Sequence, residues 1–317
     1  MYSFILLSIL ILLSYIYFFY KQQNVLLKIA KPNEIDLLHT SKTQQITSWA
    51  LSNLNVQKLN NSSNKKIKIA ILDSGIDKNH EDLQDTVIKE YNAINPQEPV
   101  TDTLGHGTTI AGILAAQNNT IGISGISSSC VEIYSVKVLN DNGKGKIDNL
   151  IRGINWSIDN NVDILNISFG MSSNNVDLEN VIKKALQAGI IVVASAGNNY
   201  GGNVEYPANY KDVISVTAVD HTYKIASFTA KKGKIDFSAP GVDILTTSIL
   251  NNYTIEHGTS LATAHVTGII SLILANHEKF NLSTNKKNLP KEIYTILEQH
   301  SVNIGKKTHY GNGFIKI

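Results

Sequence analysis

The feature that most constrains this fold is a rhythm of short apolar runs rich in β-branched residues. They recur at 67–72, 133–139, 162–168, 190–195 and 213–219. Between them, 106–117, 148–160 and 176–188 read as helices. A run apolar at nearly every position is a strand buried on both faces. Such strands alternating with helices build a parallel sheet covered on both sides. The expected class is α/β, a three-layer sandwich around a mostly parallel central sheet. Such sheets bind ligands beyond the carboxyl ends of their strands, and Asp73, Ser168 and Asn198 all fall at or just past strand ends.

Residues 2–20 carry no charge and are rich in Ile, Leu, Phe and Tyr. That is close to the roughly 20 residues a spanning helix needs. No Lys or Arg precedes the run and no small-x-small site closes it. Residues 1–20 therefore read as an uncleaved single-pass anchor, with a cleaved signal peptide as the rival. A polar stem follows over 21–43, and the main domain spans 44–317. Ile46, Trp49, Leu51, Leu54, Val56 and Leu59 open that domain as a short helix on a core. Lys21, Lys28 and Lys31 follow the span and would hold the domain on the cytoplasmic side. Large domains translocate despite so small a bias. The expected location is the cell membrane with the domain outside, the alternatives being cytoplasmic, or secreted after cleavage.

Cys130 is the only cysteine, so no internal disulfide forms. The formal net charge is +2 and no basic patch interleaves with aromatics, so no nucleic-acid partner is expected. The chain reads as a monomer.

Three residues stand out for chemistry. Asp73 ends the first apolar run in Ile-Leu-Asp-Ser-Gly-Ile-Asp. His106 opens a helix rich in small residues, between Gly105 and Gly107. Ser260 follows Gly258-Thr259 and precedes an apolar run at 266–275, so it belongs to a first helical turn. There, free N–H groups and the positive end of the dipole favour negative charge. Each residue alone has an ordinary explanation: a turn-forming Asp, a structural His, an N-cap. Together they have a common purpose. A serine hydroxyl is a poor nucleophile until a base takes its proton, and the base needs a carboxylate to fix its tautomer. The order Asp, His, Ser excludes both the chymotrypsin and the hydrolase-elbow arrangements, and Gly258-x-Ser260-x-Ala262 is no elbow.

Asp73-Ser74-Gly75-Ile76-Asp77, His106-Gly107-Thr108 and Gly258-Thr259-Ser260 resemble the three active-site motifs of the subtilisin-like serine proteases. The match runs from about Gln44 to Ile317 in family order. The resemblance implies an endopeptidase acting on peptides or proteins, with Ser260 as nucleophile, His106 as general base and acid, and Asp73 as the orienting carboxylate. The stretch 192–198 resembles the strand that ends in the family's oxyanion-hole asparagine, here Asn198. Gly143, Lys144 and Gly145 resemble one substrate-pairing edge, Ser168, Phe169 and Gly170 the opposite edge, and Ser195, Ala196 and Gly197 a wall of the S1 pocket. No carboxylate is evident that would demand a basic P1 residue, because Asn199 follows Asn198.

The stretch 117–123 resembles the family's calcium loop, which interrupts the helix carrying the His. The resemblance implies a Ca²⁺ site formed by Asp82, the Asn119 side chain and the carbonyls of Gln117, Ile121 and Ile123, closed by Gln44 or Gln45. Tyr206-Pro207 resembles a cis-prolyl turn near the pocket. Residues 310–315 resemble the family's closing turn and strand. Thr109 stands where a second His is common, and 21–43 is too short for a folded prodomain. Ala264 replaces the usual Pro and is expected to leave the helix start freer and to alter rates. An anchored form of this kind suggests proteolytic processing, with leader-peptide removal as one specialisation; a catalytically silent binding module is the alternative.

Overall fold

The computed structural model describes residues 45–59 and 65–317. The expected anchor, the stem and Gln44 lie outside them. Among the described residues no helix is long and apolar enough to cross a membrane.

The strands in chain order are β1 (Ile67–Asp73), β2 (Val87–Asn92), β3 (Val131–Lys137), β4 (Ile164–Ile167), β5 (Ile191–Ser195), β6 (Ile214–Val219), β7 (Phe237–Pro240), β8 (Ile244–Ser248), β9 (Asn252–Glu256), β10 (Ser301–Val302) and β11 (Phe314–Ile315). The helices are α1 (Trp49–Leu54), α2 (His106–Ala115), α3 (Ile147–Asp159), α4 (Val176–Gln187), α5 (Thr259–Ala275), α6 (Leu289–Gln299) and α7 (Lys307–Tyr310). Nine strands form one sheet in the order β10-β11-β7-β6-β5-β4-β1-β3-β2. Every pair is parallel except β10 with β11, and β8 and β9 form a separate antiparallel hairpin.

Side chains alternate across this sheet. Ile69 and Ile71 join Ile110 and Leu114 of α2 and Ile269 and Ile273 of α5 in one core. Ala70 and Leu72 join Leu150 and Ile154 of α3 and Leu178 and Ile182 of α4 in the other. The expected three-layer α/β sandwich is the observed one. α5 is buried along its whole length, as a helix apolar on all sides must be. β1 lies between β3 and β4. The chain runs out to β2 and β3 on one side before crossing to β4 and beyond, so β1 is the topological switch point where a crevice opens.

Some elements differ from expectation. α2 ends at Ala115 rather than 117, because Ala116 turns extended (ψ 128°). After the loop that follows, the N–H groups of Gly125, Ile126 and Ser127 return to the carbonyls of Ala116, Ile113 and Leu114. The excursion thus satisfies the helix end that it interrupts. β2 is an exposed edge with no apolar run to announce it. Ala264 is the sixth residue of α5, not part of its first turn. Its N–H is in register with the Ser260 carbonyl, so alanine here keeps an interior helical hydrogen bond that proline would lack. The expectation of a freer helix start is therefore corrected.

Candidate active site

Asp73 closes β1. Strand alternation sets it on the side of Ile69 and Ile71, under α2 and α5, and it is fully buried. Its Oδ1 accepts the Ser74 N–H at 2.8 Å. Oδ1 and Oδ2 lie 2.8 and 2.9 Å from His106 Nδ1. A nitrogen facing two carboxylate oxygens carries the proton, so Nε2 is left as the acceptor. Burial opposes the imidazolium. The Asp73 charge and hydrogen bond, helped by Asp102 and Glu256, outweigh it and raise the His106 pKa above its ordinary 6.5.

α2 starts behind Gly105 (φ 90°), which brings no capping side chain. Asp102 supplies the cap. Its Oδ2 accepts from the Thr108 N–H (3.0 Å) and hydroxyl (2.6 Å), and its Oδ1 from the Gly105 N–H (2.8 Å) and the Ser74 hydroxyl (2.9 Å). Ser74 Oγ in turn accepts the Gly107 N–H at 3.0 Å. The helix that carries His106 is thereby tied to the strand that carries Asp73. Gly107 permits the approach, since a Cβ there would stand 2.0 Å from the Gly75 carbonyl oxygen. Buried Lys137, ending β3, donates to the carbonyls of Ser74 (2.7 Å) and Thr101 (3.0 Å). Asp102 and Lys137 were not singled out from the sequence. An acid just before a helix start was a usable signal for Asp102; for Lys137 there was none.

Ser260 is the second residue of α5, and its N–H has no acceptor within the helix. Its Oγ donates to the Ser168 carbonyl at 2.6 Å, so the hydroxyl is turned to the end of β4. Asn198 lies opposite. Its Oδ1 accepts from the Thr259 N–H (3.1 Å) and the Thr259 hydroxyl (3.0 Å). A backbone N–H can only donate, which fixes the amide orientation and leaves Nδ2 on the other side. His106, Ser260, Asn198, Ser168, Phe169 and Gly143 line one cleft of about 440 Å³. A hydroxyl, a base with a free acceptor nitrogen and two N–H donors can together support acyl transfer.

Of the other expected cleft residues, Lys144 and Gly145 are exposed, with Gly145 bridged to Leu139 in a tight turn. Ser195 and Ala196 are buried, and Gly197 has φ 108°. The peptide before Pro207 is cis. Glu205 lies against Gly170 and Gly197, whose Cβ positions would fall 2.6 Å from its Cβ and 2.7 Å from its Cδ.

The loop after α2 gathers oxygen atoms around Asp82 and Gln45. Asp82 is fully buried, and its Oδ2 accepts from Ile123 N–H (2.8 Å) and Tyr253 hydroxyl (3.0 Å). Its Oδ1 has no partner, and burial pushes the carboxyl up to about 6. The carbonyls of Gln117 and Ile123 converge on one atom, Gln45 Nε2, at 2.6 and 3.0 Å. A half-turn of that amide would present Oε1 at the same point. Asn119 Oδ1 accepts the Ile121 N–H within the loop at 3.2 Å. Among the described residues no group of three or more His, Cys, Asp or Glu gathers as a metal site. The loop's donors are carbonyl and amide oxygens with one unsatisfied carboxylate, a set that suits calcium.

Residues 64–313 match the family model described as the Subtilase family. The chain is 36% identical over 273 residues to a thermostable alkaline protease of Halalkalibacterium halodurans, covering 86% of this chain and 72% of the relative. It is 38% identical over 257 residues to a subtilisin of Bacillus pumilus, covering 79% of this chain and 89% of the relative. It is likewise 38% identical to subtilisin E of Bacillus subtilis, over 79% of this chain and 64% of the relative. The matched span holds β1, β4, β5 and both helices that meet at the cleft, so the chain belongs to the subtilase family and is a serine endopeptidase acting on peptide or protein substrates.

Proposed function

We propose that Ser260 is the nucleophile, His106 the general base and then acid, and Asp73 the carboxylate that orients and charges the imidazole. The supporting observation is the two-oxygen contact of buried Asp73 with His106 Nδ1, in a cleft that also holds Ser260 at a helix start. A substrate amide that takes the Ser168 carbonyl frees Ser260 Oγ to turn about χ1 and pass its proton to Nε2. Oγ then bonds the scissile carbon while Asn198 Nδ2 and the Ser260 N–H hold the oxyanion. The proton on Nε2 goes to the leaving amine, and water hydrolyses the acyl-enzyme by the same route reversed. A fluorophosphonate probe is expected to label the protein and to leave Ser260→Ala unlabelled; equal labelling of both would refute Ser260 as the nucleophile, and no labelling of the wild type would favour a silent binding module.

Asn198→Ala is expected to lower kcat by about 10²–10³-fold with KM little changed, the loss found on removing one oxyanion donor in a subtilisin. Asn198→Asp keeps the acceptor that Thr259 uses but sets an oxygen where Nδ2 stood. Its kcat should fall at least as far, with thermal stability retained. An unchanged kcat in either variant would remove Asn198 from the oxyanion site.

Asp82, Asn119, Gln45 and the carbonyls of Gln117, Ile121 and Ile123 would hold Ca²⁺, which would clamp the segment before α1 to the loop after α2. At calcium about 1,000-fold above Kd, chelation should lower Tm by roughly 10 °C. Asp82→Asn should abolish that difference, and a wild-type Tm indifferent to chelator would exclude the site.

The uncharged run over 2–20 supports a membrane tether, with proteolytic processing such as leader-peptide removal as the physiological role. Extraction of cell membranes at alkaline pH decides between a tether and a released protein.

A further inference from the structure

The carboxylate of Glu205 has no part in the chemistry above, yet it lies against Gly170 and Gly197, in the two segments that flank Ser168 and Asn198. β4 and β5 are parallel neighbours. Their extensions, 168–170 and 195–197, leave the sheet side by side. The first begins at the carbonyl that receives Ser260 Oγ, and the second leads directly into Asn198. Gly197 also donates its N–H to Thr259 Oγ1 at 3.3 Å, next to Ser260. A carbonyl held at Ser260 and Asn198 therefore projects the side chain of its own residue between these two segments.

Glu205 is fixed to both of them. Its N–H donates to the Ala196 carbonyl at 3.0 Å, and the adjoining Tyr206 pairs with Met171 through two bonds of 2.9 Å. Both segments are bare at the point of contact. A Cβ on Gly170 would lie 2.7 Å from Glu205 Oε2, and a Cβ on Gly197 2.9 Å from the same oxygen. Any other residue at either position would displace the carboxylate. The side chain is half-buried, and burial raises its pKa. Its hydrogen-bond partner is a neutral one, the Asn199 amide at 3.4 Å, and among the described residues no Lys, Arg or His forms an ion pair with it. A carboxylate withdrawn from water against a weak neutral partner is poorly compensated in the free enzyme. A cation entering the same pocket would compensate it.

We propose that Glu205 makes this endopeptidase select Lys or Arg at P1, the residue that supplies the scissile carbonyl. The proposal rests on the reading of Ser260 as nucleophile. The cationic side chain runs between the two glycine edges, and its head group meets the carboxylate at the pocket floor. The sequence expectation of a P1 pocket without an acid is thereby replaced by its opposite.

The test is a set of peptide anilides identical except at P1, carrying Lys, Arg, norleucine, citrulline, Phe or Glu. Active enzyme is counted with the fluorophosphonate probe. The wild type should cleave the Lys and Arg peptides with kcat/KM about 10²-fold above norleucine and citrulline. Glu205→Gln should lose most of that factor on Lys and Arg while staying within about 3-fold of wild type on norleucine. Glu205→Lys should turn the preference to Glu, which a merely structural role would not do. If wild type cleaves Phe or norleucine as well as Lys and Arg, the proposal is overturned while the nucleophile stands. If Glu205→Gln lowers every substrate by one common factor, Glu205 is structural and the proposal is likewise overturned. If the probe fails to label wild type, the catalytic reading itself falls and takes this one with it.

Discussion

Ser260→Ala should reduce kcat by about 10⁶-fold, the loss a subtilisin shows when its nucleophile is removed. KM should change little, because the cleft walls and the Asn198 amide are untouched. The fold should survive as well. In the free enzyme Ser260 Oγ makes one hydrogen bond, to the Ser168 carbonyl, worth about 1 kcal/mol net. A Tm within a few degrees of wild type would separate lost chemistry from lost structure. His106→Ala should cost about as much, and the double variant no more than either single one. Nucleophile and base move one proton between them, so neither works without the other. A double variant whose loss is the product of the two single losses would mean that Ser260 and His106 act independently. The proton path through Nε2 would then be wrong.

The residues proposed to carry this chemistry were legible because each sits in a local signal. Asp73 follows a run of buried β-branched residues, His106 lies between glycines at a helix start, and Ser260 precedes an apolar helix. Their order along the chain did the rest. Strand existence was equally legible wherever both faces are buried, as in β1, β4, β5 and β6, and illegible at the exposed edge β2. What escaped depends on contacts between distant segments. Asp102 caps a helix that begins four residues later, yet its second function is to reach the strand carrying Asp73 through Ser74. Glu205 lies 35 residues after Gly170, in a polar loop where the expected cis-prolyl turn at Tyr206-Pro207 marked the neighbourhood but not the acid. The glycines were a second trace, and a glycine does not say which side chain needs its space. Ala264 is a simpler case: it follows Ser260 by four residues, a full turn into a helix that starts at Thr259, so it lies in the interior and not at the start.

Asp73→Asn is the second large effect, and the structure says why an almost isosteric change should be so damaging. Asp73 Oδ1 is held by the Ser74 N–H at 2.8 Å. A backbone N–H can only donate, so in the variant the amide oxygen stays there and the NH₂ takes the place of Oδ2. That nitrogen would then stand about 2.9 Å from His106 Nδ1, donor against donor. The imidazole relieves the clash by carrying its proton on Nε2 instead, the nitrogen that must be free to receive the Ser260 proton. A loss of about 10⁴-fold in kcat near neutral pH is expected, the size seen when a triad carboxylate becomes an amide. The pH profile supplies a second, independent reading. In wild type the acid limb of kcat/KM reports the free enzyme's base, and its midpoint should lie above 6.5 because His106 is raised by Asp73. His106 must be neutral to act, so activity rises with pH through that midpoint. Removing the Asp73 charge takes away the largest influence that favours the imidazolium, and the residual activity of Asp73→Asn should titrate at lower pH than wild type. A variant that loses activity with its acid limb unmoved would show that Asp73 holds the fold of the cleft without governing the charge of His106.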